Sequence, residues 1–150
     1  MFFKSVISDK LPKPIGPYSP AIKLGDFVYL SGMLPVDQSD QVKGDIKEQT
    51  TKVINNIKVL LDEMNLELRH VVKTTVYMTD LNEFDQMNEV YGSMFTNVFP
   101  ARTTIEVKAL PKGAKLEIEC FVIDTLNYEA QMQGCSGCDV EDCGDSCGCK

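Results

Sequence analysis

The segments FPARTTIEV (residues 99–107) and LEIEC (residues 116–120) decide the fold. Apolar and polar side chains alternate in both segments, which is typical of β-strands that bury one face. The turn residues 111–113 lie between the segments, so we expect the two strands to form a β-hairpin. Cys120 falls on the apolar side of the second strand, which predicts a small buried hydrophobic residue there.

Arg102 begins the first of these strands, in a chain that otherwise uses lysine except at Arg69. Its planar guanidinium presents a fork of donors that suits a carboxylate, which a lysine does not. In the expected hairpin, Glu119 lies opposite Ile105, about 10 Å along the strand from Arg102. Two interpretations follow. Either Arg102 binds a small carboxylate while Glu119 transfers a proton, or the two residues form a surface ion pair.

Length and charge restrict the class of protein. A chain of 150 residues is most simply one domain, and its net charge of −7 argues against nucleic acid as the main partner. No run approaches the roughly 18 apolar residues that a membrane span needs. Residues 1–4 are followed by polar residues rather than by a secretory apolar segment. We therefore expect a cytoplasmic protein with no nucleic-acid or membrane partner.

A proline-rich loop and a short strand precede the first predicted helix. Prolines at positions 12, 14, 17 and 20 predict an extended, pinned loop. Tyr18 lies inside this loop, where a phenol either lines a pocket or only packs. The apolar strand at residues 27–31 runs into Gly32. The pair Ser31 and Gly32 either lets backbone N–H groups approach a ligand or forms an ordinary strand exit.

Two amphipathic helices are predicted. Asp45 and Glu48 have the spacing of a capping box, and Asn65 is a reasonable end for the helix that follows. Its apolar stripe consists of Ile46, Val53, Ile54, Ile57, Leu60, Leu61 and Met64. Asp80 and Glu83 repeat the cap spacing before a second helix. The apolar face of that helix consists of Phe84, Met87, Tyr91 and Phe95.

Two polar residues near these helices need an explanation. Asn88 lies on the apolar face of the second helix, where it either ties down a backbone loop or faces a polar pocket. His70 is the only histidine, and its position just before the strand at residues 71–78 indicates a loop residue. The overall order of strand, helix, strand, helix, strand, strand predicts an α+β fold, a mixed sheet with both helices on one face. The other face then needs a cover, which self-association supplies.

Several motifs resemble the YjgF/RidA family in their order and spacing. They are GPYSPA at 16–21, LSG at 30–32, VKTTVYMTDL at 72–81, NEVY at 88–91, and FPAR at 99–102 followed by LEIE at 116–119. The resemblance implies a chorismate-mutase-like α+β fold and a homotrimer, in which three sheets form a central barrel with a site in each subunit cleft. It implies hydrolysis of reactive 2-enamine and 2-imine acids, such as 2-aminoacrylate and 2-iminobutanoate, to 2-keto acids and ammonia. No metal or cofactor is implied for this reaction.

The resemblance also implies roles for individual residues. Arg102 binds the substrate carboxylate, Glu119 activates the attacking water, and Tyr18 closes the pocket from a neighbouring subunit. Thr104 stands where many bacterial members carry a cysteine, so thiol chemistry is excluded there, although its hydroxyl is able to hydrogen-bond the ligand. The remaining pocket-lining positions are Ser31, Gly32 and Asn88. Because an imine carbon is already electrophilic, orienting the carboxylate and supplying a general base is most of what the reaction needs.

The composition changes near Asp124, where family members usually end. We expect residues 1–124 to form the YjgF/RidA-like domain and residues 125–150 to form a Cys-rich tail that is not an independent domain. The tail cysteines are Cys135, Cys138, Cys143, Cys147 and Cys149. The first four could bind zinc or an iron–sulfur cluster. Alternatively the tail forms disulfides and senses redox state, or it has no defined role.

A second class of function stays open beside catalysis. A non-catalytic member of the family would bind a small carboxylate or act as a chaperone-like holdase, with the tail binding metal or sensing redox state. The presence of both Arg102 and Glu119 favours the enzyme, because a protein that only binds carboxylates needs the arginine but not the acid.

Overall fold

The computed structural model describes residues 2–134, so the predictions for the tail cysteines lie outside the described residues. Within this range the strands are β1 (Phe3–Val6), β2 (Ala21–Leu24), β3 (Phe27–Met33), β4 (Val71–Met78), β5 (Ala101–Glu106) and β6 (Leu116–Ile123). The helices are α1 (Ile46–Asp62), α2 (Phe84–Met94) and α3 (Leu126–Gly134). None of these helices is both long and apolar enough to cross a bilayer.

The six strands form one mixed sheet in the order β1-β2-β3-β6-β4-β5. β4 and β5 pair in parallel, and all other neighbours pair antiparallel. The predicted hairpin of β5 and β6 is therefore wrong, because β4 lies between the two strands and pairs with both. Alternation of side chains shows that a strand buries one face, but it does not identify the neighbouring strand. The connection at residues 107–115 passes over the end of β4, where the Val107 N–H donates to the Met78 carbonyl at 2.8 Å.

The predicted capping box of the first helix is confirmed. The Glu48 N–H donates to the Asp45 carboxylate at 3.0 Å, and the Asp45 N–H donates to the Glu48 carboxylate at 2.9 Å. Asn65 follows the end of α1 in the left-handed conformation, with φ of 57°. The second helix begins at Phe84, later than the cap spacing suggested. Asp80 instead accepts from the Asn82 N–H and caps a short 3-10 turn over residues 81–83.

Both long helices pack on one face of the sheet, as predicted. The buried side of β6 consists of Leu116, Ile118, Cys120 and Val122, and the core also takes up the apolar stripes of α1 and α2. Burial of Cys120, with a smaller contribution from Glu119, raises the pKa of its thiol to about 12, so it stays a neutral packing residue.

The opposite face of the sheet, called the open face below, carries large apolar side chains. Phe3, Leu24, Phe27, Tyr29 and Ile105 lie on it, and each is between 42% and 52% exposed. The rings of Tyr29 and Phe121 lie 4.9 Å apart at their centroids and form the middle of this patch. Residues 2–134 of a single chain thus leave this face of the sheet without a cover.

The chain after β6 continues into α3, an element that the composition did not predict. Glu129 on α3 accepts from the Arg69 guanidinium at 2.6 Å and from the Thr125 hydroxyl at 2.5 Å. The Tyr128 hydroxyl donates to Asp26 in the turn between β2 and β3 at 3.0 Å. His70, expected in a loop, is buried in a 3-10 turn beside Glu129, and its Nδ1 accepts from the Glu67 N–H at 2.9 Å.

Candidate functional site

A cavity of about 590 Å³ opens at the end of the sheet where β3 ends and β6 begins. The proline-rich loop forms one wall, the loop after β3 forms another, and residues 111–112 close a third side. Of the residues predicted for the site, Tyr18, Ser31 and Gly32 line this cavity. Glu117, to which no role had been assigned, lines it as well.

Hydrogen bonds fasten the proline-rich loop to the end of β3. The Ser31 hydroxyl donates to the Ser19 carbonyl at 2.7 Å, and the Ser31 N–H donates to the Pro20 carbonyl at 2.9 Å. Gly16 adopts φ of 117°, which an L side chain rarely permits, and its carbonyl accepts from the Tyr18 N–H at 3.0 Å. Ser31 therefore holds the loop that presents Tyr18. The hydroxyl proton of Ser31 is already used in the hydrogen bond to the Ser19 carbonyl.

Gly32 allows a close approach of Glu117. A Cβ built on Gly32 would lie 1.7 Å from Oε1 of Glu117, a distance that no real side chain tolerates. The pairing of β3 with β6 shifts register between Leu30 and Met33, so the backbone at Gly32 bulges under the carboxyl group. The absence of a side chain at Gly32 thus leaves the space in which the Glu117 carboxyl sits.

The Glu117 carboxyl has a raised pKa, as a candidate acid–base group should. Burial raises its pKa above the ordinary glutamate value, and the neighbouring negative charge of Glu119 raises it further. The other described acid that lines the cavity is Asp40, whose carboxylate is paired with the Lys112 ammonium. Glu117 is therefore the acid of this cavity without a cationic partner.

Glu119, the residue predicted to activate water, is not among the residues that line this cavity. It is in register with Thr75 of β4, which in turn is in register with Thr103 of β5. Glu119 therefore projects from the open face, where its charge contributes to the raised pKa of Tyr77 after the larger effect of burial. β4 lies between the strands that carry Glu119 and Arg102, and the two side chains project from opposite faces of the sheet.

Arg102 projects from the face of the sheet on which the helices pack, toward α2. Its guanidinium carbon lies 4.8 Å from the centroid of the Tyr91 ring and 5.6 Å from that of Phe84. Among the described residues no carboxylate lies within ion-pair distance of it. The predicted alternative, a surface ion pair with Glu119, is therefore wrong. A guanidinium that lies on aromatic rings without an acidic partner keeps its donors available for an anion.

Two further predicted residues lie near Arg102. Thr104 is two residues along β5 and faces the same side, and its Oγ1 is buried without a hydrogen-bond partner in the described part of the chain. Asn88 is half-buried on α2, one turn after Phe84 and one turn before Tyr91. The predicted residues thus fall into two groups. We call Tyr18, Ser31, Gly32 and Glu117 the cavity group, and Arg102, Thr104 and Asn88 the arginine group.

A single chain does not bring these two groups together. Glu117 is in register with Tyr77 on β4, and Arg102 lies one strand further, on β5. Two strand spacings amount to about 10 Å, and the side chains leave opposite faces of the sheet. A small ligand therefore cannot touch both groups within one chain.

The sequence did not distinguish Glu117 from Glu119, because both lie on the same side of β6 and have similar polar neighbours. The structure places Glu117 in the lining of this cavity and leaves Glu119 outside it. One signal was present. A glycine at a strand exit indicates that something approaches the backbone closely. That signal marks Gly32, but it does not say which side chain fills the space.

Comparisons with known proteins agree with this architecture. The family model described as Endoribonuclease L-PSP matches residues 8–124. The RutC family protein PYRAB12510 of Pyrococcus abyssi is 52% identical over 118 residues, which cover 77% of this chain and 93% of the relative. The crystal structure of the YjgF gene product from E. coli superposes with a TM-score of 0.77 at 35% identity, covering 80% of this chain and 98% of that one.

A second solved structure, E. coli TdcF with bound serine, also superposes with a TM-score of 0.77 at 35% identity, and covers 80% of this chain and 98% of that one. Both structures reproduce the mixed sheet with helices on one face. The matched region ends at Asp124, so α3 and the tail extend beyond it. The chain belongs to the Endoribonuclease L-PSP family, to which the YjgF/RidA resemblance of its motifs had pointed.

Proposed function

We propose that this protein hydrolyses small 2-imino and 2-enamino acids to 2-keto acids and ammonia, at sites formed between the subunits of a homotrimer. The observation that carries the proposal is the half-buried Arg102 guanidinium, which lies on two aromatic rings and has no carboxylate partner among the described residues. Such a group is suited to a small carboxylate, which every 2-imino acid carries.

The open face supports self-association. Its exposed apolar side chains lie side by side across the antiparallel part of the sheet, with Phe3 opposite Leu24 and Leu24 opposite Phe27. Burial of apolar surface is worth about 25 cal/mol per Å², so packing three such faces around an axis provides a driving force. In the trimer we propose, the cavity group of one subunit faces the arginine group of its neighbour.

The proposed reaction needs one anchor and one base. Arg102 of one subunit binds the substrate carboxylate with its free guanidinium edge. The Glu117 carboxylate of the neighbour accepts a proton from water as the water oxygen attacks the imine carbon. Glu117 then gives this proton to the nitrogen of the tetrahedral intermediate. The second proton of the former water moves from the C2 hydroxyl to the same nitrogen, again through Glu117, as the C–N bond breaks, ammonia leaves and the C2 carbonyl forms.

The choice of Glu117 over Glu119 as the base rests on position and on environment. Glu117 lines the cavity beside Tyr18 and Gly32, whereas Glu119 is not among its lining residues. Because a raised pKa makes an ionised carboxylate a stronger base near neutral pH, the half-buried Glu117 is suited to proton transfer from water. Glu119 modulates this group through its charge.

The relatives support a small ligand of this kind. TdcF is described with bound serine, which has the carboxylate and the C2 nitrogen of an amino-acid-derived imine. The family description names an endoribonuclease, but the net charge of −7 would repel a phosphate backbone, and we do not extend RNA cleavage to this chain. The reaction proposed here requires no cofactor.

A coupled assay tests the proposal. Threonine dehydratase generates the enamine in situ, and 2-keto acid formation is followed with wild-type protein, Arg102→Ala and Arg102→Lys. We expect wild type to accelerate release, Arg102→Ala to abolish the acceleration and Arg102→Lys to restore little of it, because lysine lacks the bidentate fork. If wild type leaves the rate unchanged while it binds 2-oxobutanoate, the non-catalytic carboxylate-binding function replaces the enzyme.

A second proposal concerns the tail. We propose that Cys135, Cys138, Cys143 and Cys147 bind zinc or an iron–sulfur cluster, because four thiolates are the ligand set that both take. The sequence places five cysteines within residues 135–150. Metal analysis of full-length protein purified under reducing conditions should find about one zinc or one cluster per chain. Protein truncated after residue 134 serves as the control, and equal metal content in both would contradict the proposal.

A further inference from the structure

The ring of Tyr91 lies directly under the Arg102 guanidinium and is itself held from two sides. Its hydroxyl is 2.8 Å from the Thr74 hydroxyl, and both residues are buried. Its ring stacks on that of Phe95, with centroids 4.5 Å apart and an angle of 28° between the planes. Arg102, Tyr91 and Phe95 therefore form one continuous stack between β5 and α2.

This arrangement fixes the ring more firmly than core packing alone. A buried phenol needs a hydrogen-bond partner, and Thr74 on the neighbouring strand supplies it. Thr74 is also in register with Arg102 across the β4–β5 pair. Thr74 orients the Tyr91 ring, and Arg102 lies on that ring. Because these two residues are paired across neighbouring strands, the backbone sets the height of the guanidinium above the ring.

We propose that Tyr91 is a positioning residue, which holds the Arg102 guanidinium flat so that its edge donors meet the carboxylate of the ligand. The aromatic face attracts the cation and occupies one face of the guanidinium, while the coplanar N–H groups stay free. Phe84 at 5.6 Å contributes a weaker contact. The identification of the ligand as a carboxylate rests on the proposed function, whereas the stack itself does not.

The stack can be detected without any turnover. The chain contains two arginines, so a spectrum of labelled side-chain Nε–H groups holds two signals, and Arg69→Lys identifies that of Arg102. The ring current of Tyr91 should shift the Arg102 signal. Tyr91→Leu should move this signal toward the position of a solvent-exposed arginine, whereas Tyr91→Phe, which keeps the ring, should leave it nearly in place. An unchanged signal in Tyr91→Leu would overturn the stack.

Calorimetric binding of 2-oxobutanoate then tests the positioning role. We expect Tyr91→Leu to weaken binding about tenfold and Tyr91→Phe to restore most of the affinity, because the cation–π contact survives in the latter. Phe95→Leu is the matched control. It removes the second ring of the stack but leaves the Tyr91 ring under Arg102, so its loss of affinity should be clearly smaller than that of Tyr91→Leu. The uncharged analogue 2-oxobutanamide should not distinguish Tyr91→Leu from wild type.

The outcomes separate this inference from the proposed function. A clearly larger loss of 2-oxobutanoate binding in Tyr91→Leu than in Phe95→Leu supports the positioning role even if the wild-type protein deaminates nothing. Equal loss in both variants would show a general packing effect and overturn it. Active wild-type enzyme with unchanged 2-oxobutanoate binding in Tyr91→Leu would overturn the positioning role while leaving the proposed function intact.

Discussion

Replacing each of two glutamates on one strand with glutamine, in separate variants, provides the sharpest test of the proposed chemistry. Glu117 and Glu119 are two residues apart on β6 and leave the sheet on the same face, so Glu117→Gln and Glu119→Gln are the same chemical change about 7 Å apart. Only Glu117 lines the cavity. If it is the general base, its loss should lower kcat/KM by about 10²–10⁴, or about 3–5 kcal/mol of transition-state stabilisation.

The structure sets this magnitude because the cavity offers no replacement for Glu117. The other described acid in its lining, Asp40, is neutralised by Lys112. Glu119→Gln should keep kcat/KM within about threefold at neutral pH, since it removes only a neighbouring charge. That charge raises the pKa of Glu117, and the base acts when ionised. The acidic limb of the pH–rate profile should therefore move to lower pH in Glu119→Gln.

The assay is the coupled release of 2-keto acid, run from pH 5 to pH 9 with both variants. Size-exclusion chromatography and circular dichroism confirm that each variant assembles and folds as wild type does. The account is refuted if Glu119→Gln loses activity and Glu117→Gln retains it. It is equally refuted if the acidic limb of Glu119→Gln moves to higher pH.

Three further predictions concern other parts of the chain. Gly32→Ala should displace the Glu117 carboxyl, because its Cβ would lie 1.7 Å from Oε1, and it should lower kcat/KM at least about tenfold while circular dichroism stays unchanged. Hydrogen bonding by Arg69, then by Thr125, lowers the pKa of Glu129 to about 2, so its stabilisation of α3 should be complete above the unfolded value of 4.5 and lost as pH falls toward 2. Amide exchange in α3 should accelerate over that range, and Glu129→Gln should show fast exchange already at pH 7. Asp45→Ala should cost about 1 kcal/mol in urea unfolding, because it removes the capping box of α1, and an unchanged midpoint would contradict this.

Local rules predicted most of the secondary structure. The capping box at Asp45 and the apolar stripe of α1 are consequences of helical periodicity, which neighbouring elements only reinforce. The alternation in β6 likewise predicted which side of the strand is buried. These features depend on residues within a few positions of each other, so the sequence contains them directly.

Pairing of strands was not predictable in the same way. β5 and β6 both alternate and are separated by a turn signal, yet β4 lies between them in the sheet. A parallel β4–β5 pair connected through α2 satisfies the backbone hydrogen bonding of both strands. No local pattern in the sequence distinguishes this arrangement from a β5–β6 hairpin. The error placed Arg102 and Glu119 on one hairpin, whereas the structure places their side chains on opposite faces of the sheet.

The helix α3 shows a further reason for failure. Its attachment depends on Glu129, whose partner Arg69 lies 60 positions earlier, and on Tyr128, whose partner Asp26 is more distant still. Sequence composition marked a change near Asp124 but gave no sign of these contacts. Contacts between residues that are far apart in the sequence form only when the fold brings them together, so the sequence alone does not predict them.

The central claim is that Arg102 of one subunit and Glu117 of the next form one site, and mixed oligomers test it most directly. Arg102→Ala and Glu117→Gln are each expected to be inactive. When the two are unfolded together and reassembled in equal amounts, about a quarter of the sites should combine an intact arginine with an intact glutamate. The account predicts recovery of about that fraction of wild-type deamination in the mixture. Mixed oligomers that form but stay as inactive as either parent would contradict a site shared between subunits.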